Sequence, residues 1–164
     1  MTQHGGAIGA VVRGNNEQGV NEMSLQAILL PLFVEVILTF VLWGWMAGLR
    51  TRDMTSGGVR SEDIALREPN WSKRTLQAAY SFSNQFELPV LFYVLTILAY
   101  ITHKAGVVFV ILAWIFVIFR LLHAYVHTTS NVVRFRGSLY GIAAFALILN
   151  WVIYIVVILT SPWV

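Results

Sequence analysis

Cysteine is absent from the 164 residues, which excludes disulfides, thiolate metal sites and a protein thiol nucleophile. Any thiol chemistry must arrive with a ligand. Charge is also scarce, at 12% of residues against roughly 25% in an ordinary soluble domain. The net charge of +3 is not gathered into a basic arm, so nucleic acid is not an expected partner. Internal repeats and low-complexity tracts are missing too.

What is present is apolar sequence in long runs. Hydrophobic residues make up 57% of the chain, and the mean hydropathy is +0.70. Crossing a hydrocarbon core of about 30 Å takes roughly 20 helical residues, and four stretches meet that length, at about 25–49, 75–101, 107–127 and 138–160. Residues 1–22 are rich in Gly, Asn and Gln without the apolar core of a signal peptide, and read as a disordered tail. Residues 23–164 then form one transmembrane domain. Arg50 to Arg74 is the one long loop, with turn signals at Gly57-Gly58 and Pro69-Asn70. The remaining connections are short and imply antiparallel neighbours. The expected fold is an all-α, multi-pass integral membrane protein, four helices in an up-down bundle.

Basic residues set the orientation. Arg50, Arg52, Arg60, Arg67, Lys73, Arg74, Arg134 and Arg136 fall on one side, against Arg13 and Lys104 on the other. The positive-inside rule puts the first group in the cytoplasm and both termini outside.

Polar residues inside the spans mark candidate sites, because burying them in lipid is costly. Glu35 sits mid-membrane in the first span, as a neutral or helix-paired carboxyl or as a ligand contact, and Asn150 in the fourth is most simply a helix-to-helix hydrogen bond. Two stripes are denser. Arg120, His123, His127, Asn131 and Arg134 recur at helical spacing opposite Leu121, Leu122, Tyr125 and Val126. Tyr80, Asn84, Glu87 and Leu91 do the same in the second span, where Pro89 predicts a kink. Both stripes are expected to face inward at the cytoplasmic end.

Three chemistries fit Asn84, Glu87, Arg120, His123, His127 and Arg134. They could neutralise one another, Glu87 against Arg120. His123 and His127 at i, i+4 could share a metal with Glu87, but the segment HAYVH lacks the glutamate that a zinc-protease helix carries after its first histidine, so no metal site is assigned. Third, they could hold a polar, anionic ligand such as a peptide-like thiol, with Arg134 and loop arginines gripping its carboxylates.

The pairing of Asn84-Gln85-Phe86-Glu87 before Pro89 with Arg120-x-x-His123-x-x-x-His127 and Arg134 resembles the MAPEG family, the membrane-associated proteins of eicosanoid and glutathione metabolism. The likeness extends from Leu25 over nearly the whole chain and is nearest to short bacterial members, implying a bacterial inner membrane. It implies a homotrimer that binds glutathione between subunits near the cytoplasmic side. It also implies a glutathione-dependent transferase or peroxidase acting on small lipophilic electrophiles that enter from membrane lipid. Arg134 matches the arginine that would activate the thiol; Asn84, Glu87, Arg120, His123 and His127, with Arg50 and Arg74 from the loop, would bind the tripeptide. Two positions depart from the eicosanoid enzymes: His123 and His127 replace tyrosines, and Tyr80 replaces a glutathione-contacting arginine. The alternative is a non-catalytic member that binds a lipid or a partner.

Overall fold

The computed structural model describes residues 23–65 and 69–160; the expected tail at 1–22 and Arg67 lie outside them. Among the described residues all regular structure is helical, and four helical segments are long and apolar enough to span a bilayer. The first is α1, Leu25–Thr55; the second is split into α2, Lys73–Ser83, and α3, Leu88–Ile101; α4 is Val107–Thr128 and α5 is Val133–Thr160.

Local chemistry sets the ends. Ser24 caps α1, its hydroxyl accepting from the Ala27 amide at 3.3 Å, and Ser72 does the same for α2 through Thr75 at 3.3 Å. α1 runs one and a half turns beyond the apolar stretch to Thr55, where Gly57 at φ +72° turns the chain. The connection therefore begins later than Arg50, and a short 3₁₀ turn, Ser61–Ile64, shortens it further. It is pinned to the bundle by Asp53, whose carboxylate accepts from the Ser72 amide at 3.2 Å and the Thr75 hydroxyl at 2.7 Å. In the same loop the exposed Arg60 donates to Asp63 at 3.2 Å and holds that carboxyl below the usual range. α3 and α4 are joined by a tight turn in which His103 takes φ +54°, and α4 and α5 by one in which Asn131 takes φ +49°. Asn tolerates that region well.

α4 is the hub, packing along α5 and against α1 and α2. Between membrane helices the apolar driving force is weak, and close packing with occasional hydrogen bonds holds them together. Ala99, Ala113 and Ala143 are buried where the helices approach, and Phe92 and Phe116 stack at 4.8 Å between centroids. Asn150 of α5 donates to the Phe109 carbonyl of α4 at 3.3 Å, the expected helix-to-helix bond.

Candidate functional site

The break between α2 and α3 organises the polar residues. Pro89 has no amide to donate, and the chain passes through a 3₁₀ turn at Asn84–Phe86 and an irregular Glu87 with φ −98° and ψ −108°. A helix opened this way exposes carbonyls that need donors. Arg120 of α4 supplies one: its guanidinium donates to the Asn84 carbonyl at 3.0 Å and also to the Asn84 side chain.

The partner of Arg120 is Glu35 of α1, not Glu87. Arg120 Nε lies 3.4 Å from Glu35 Oε1, and both side chains are 0% exposed. Gln85 closes the group: with its amide nitrogen turned to Glu35 it donates at 2.9 Å, and its oxygen accepts from Arg120 at 3.0 Å. Three helical spans thus meet at one buried ion pair. A pair of this kind organises more than it stabilises, because desolvation offsets most of its attraction, whereas losing one partner strands a charge.

The break also changes which residues of the second span face inward. Its buried face runs through Ala78, Ser81, Gln85, Pro89 and Phe92. Tyr80, Glu87 and Leu91 are exposed and Asn84 is half-buried, so the expected inward stripe does not form as one line. The 3₁₀ turn winds tighter than an α-helix, and positions on either side of it lose their common phase.

In α4 the stripe holds for Arg120, His123 and His127, all buried. Val126 is buried as well, while Leu121, Leu122 and Tyr125 are exposed. The stripe stops at Thr128: Asn131 is in the turn, and Arg134 belongs to the first turn of α5, exposed to solvent or lipid. His123 Nδ1 lies 3.0 Å from the Arg136 carbonyl, an acceptor only, so this nitrogen carries the proton and Nε2 offers a lone pair. His123 Nε2 and His127 Nδ1 are buried without a hydrogen-bond partner, with the two rings 5.6 Å apart.

Tyr140 of α5 completes the cluster, and sequence reading missed it. Its ring lies 5.5 Å from His123 and 6.0 Å from the Arg120 guanidinium carbon, and its hydroxyl donates to Glu87 at 3.4 Å. The signal available was a hydroxyl-bearing aromatic two turns into the span that follows the basic turn. The Asn84 side chain donates to the same Glu87 oxygen at 2.8 Å. Asn84, Glu87, Arg120, His123, His127 and Tyr140 are therefore gathered between α2–α3, α4 and α5. Arg136 closes the rim, donating to Asn131 at 2.6 Å. Arg50 is elsewhere, with its guanidinium 5.1 Å from the Trp71 ring, and Arg74 is exposed at the start of α2. Among the described residues no three His or acidic side chains converge as a metal site would require.

This arrangement can do three things. It presents an oriented carboxylate, Glu87, to a cation; it presents free imidazole nitrogens to hydrogen-bonding groups; and it sits beside the amide-rich start of α5 with two arginines, which favours an anion. Compared with known proteins, the chain matches the model of the MAPEG family over residues 28–156. No curated protein and no solved structure matches it.

Proposed function

The chain belongs to the MAPEG family of membrane proteins, and from that premise we propose that the polar cluster binds glutathione. Glutathione serves there as co-substrate for transfer to, or reduction of, a lipophilic electrophile. The observation that carries the reading is the pair of buried imidazole nitrogens, His123 Nε2 and His127 Nδ1, without partners. Buried polar atoms are nearly always hydrogen-bonded, so two unpartnered nitrogens side by side call for a partner, which a bound ligand can supply.

The residues suit that ligand. Glu87, steadied by Asn84 and Tyr140, takes the ammonium; the imidazoles meet amide and carboxylate groups; Arg120 acts behind them, fixing Asn84 and the broken helix. Bound glutathione supplies the nucleophilic sulfur. Arg134, near the start of α5, contributes the positive charge that favours the thiolate over a thiol whose ordinary pKa is about 8.5. The same reading includes a homotrimer and both termini on the non-cytoplasmic face of a bacterial inner membrane, the basic end lying inside. The non-catalytic alternative draws on Tyr80, which stands exposed and away from the cluster where an arginine would be needed.

The test is titration of the detergent-solubilised protein with glutathione, followed by conjugation to a chlorinated nitroarene. Saturable binding that is weakened in Glu87→Gln, together with turnover by the wild type, supports the enzyme. Absence of binding removes the enzyme reading and leaves the non-catalytic one.

A further inference from the structure

Among the described residues Glu35 is the only acidic side chain buried in the bundle, and the glutathione site as drawn above gives it no part. It stands behind Arg120, on the side away from Glu87 and Tyr140. Taking glutathione as the ligand, we infer that Glu35 is a positioning residue for its ammonium. By neutralising Arg120, it leaves Glu87 as an unpaired carboxylate for the cationic amino group.

The Asn84 amide sets the geometry. Arg120 donates to its oxygen, and its nitrogen donates to Glu87 Oε2 at 2.8 Å, so the guanidinium and the Glu87 carboxylate stand at the two ends of one side-chain amide. At that separation Glu87 could serve as the counter-ion of Arg120. Glu35 takes that place instead, its Oε1 lying 3.4 Å from Arg120 Nε and accepting from the turned Gln85 amide at 2.9 Å. The other acceptors of the guanidinium are uncharged: the Asn84 carbonyl at 3.0 Å, the Asn84 side-chain oxygen and the Gln85 oxygen at 3.0 Å. Glu87, for its part, makes no ion pair among the described residues, and its hydrogen-bond donors are the Asn84 amide and the Tyr140 hydroxyl.

The sign of the effect separates this role from mere bracing of the helices. Glu35 and Arg120 are both 0% exposed, so solvent ions do little to screen them. Removing the Glu35 charge adds one net positive charge behind Asn84 and leaves Glu87 to answer it. That opposes an ammonium at Glu87 and leaves a ligand without an ammonium unharmed. A loosened scaffold has no such preference and weakens both ligands alike.

The experiment is calorimetric titration of the detergent-solubilised wild type, Glu35→Gln and the double variant Glu35→Gln/Arg120→Gln with glutathione and with its analogue lacking the α-amino group. Glu35→Gln keeps the size and an acceptor oxygen and removes only the charge. The wild type is expected to prefer glutathione. Glu35→Gln should bind glutathione about tenfold more weakly, the order expected of one elementary charge a few side chains away at an effective dielectric of about 20, and the analogue no more weakly than the wild type does. The double variant should regain most of the preference, because no cation then competes for Glu87. An unchanged preference in Glu35→Gln, equal weakening of both ligands, or a double variant with as little preference as the single one would each overturn the role. Should Glu35→Gln fail to fold, the double variant, which buries no charge, decides: a retained preference supports the role and a lost one refutes it. No glutathione binding by the wild type would remove the glutathione reading and this role with it, whereas binding with an unmoved preference would remove the role alone.

Discussion

The second and third spans carry similar numbers of polar residues but use them differently. In α4 the backbone is regular, and Arg120, His123 and His127 stay on one buried face. In the second span the helix is broken at Asn84–Glu87, and the residue that reaches the core is Gln85, while Glu87 turns outward. Regular helix preserves the phase that sequence spacing implies; a break resets it and turns backbone carbonyls into binding partners. The continuous helix therefore repairs the broken one, through Arg120 on the Asn84 carbonyl.

That relation can be broken at its centre. Arg120→Ala removes the donor to Asn84 and strands Glu35 with 0% exposure, and should destabilise the protein by about 3 kcal/mol or more, measured by denaturant unfolding in detergent. The paired change Glu35→Leu with Arg120→Met should recover much of this, because no charge is left unpaired. If the double variant is no more stable than Arg120→Ala, the ion pair is not what couples the spans.

Gln85 and Glu87 sharpen the contrast, being two residues apart within the break, one buried and one exposed. Gln85→Leu should cost about 1–3 kcal/mol, since it leaves buried partners on Glu35 and Arg120 unsatisfied. Glu87→Gln should change stability by less than about 0.5 kcal/mol, as exposed substitutions do, and weaken glutathione binding instead. Equal stability losses would mean that the break does not separate them. Asn150→Leu loses one bond to the Phe109 carbonyl and should cost less stability than Gln85→Leu, about 0.6 kcal/mol, typical of hydrogen bonds between membrane helices.

The positions of the four spans could be read from hydropathy, and the Asn150 tie and the buried α4 stripe could be read from spacing. These depend on residue type and helical period alone. The partner of Arg120 could not be read, because Glu35 is 85 residues away and spacing says nothing about which helices face each other. Gln85 escaped because its exposure is decided by the 3₁₀ turn before Pro89. The separation of Arg134 from His127 suits a continuing helix and so predicts a place on the α4 stripe; the turn at 129–132, with Asn131 left-handed, moves it onto α5.

Arg134 is also where the functional account is most exposed to test. The measurement is the thiolate absorbance of bound glutathione as a function of pH, with turnover recorded alongside, for the wild type and Arg134→Ala in one detergent. With the arginine charge present, the bound thiol should ionise below its free value of about 8.5. In Arg134→Ala the titration should move to higher pH and turnover at neutral pH should fall about tenfold or more, with binding weakened less, as expected for an interaction that matters mainly in the activated state. An Arg134→Ala protein whose bound thiol titrates and turns over like the wild type would contradict the mechanism and leave Arg134 as one more charge at the basic end of the bundle.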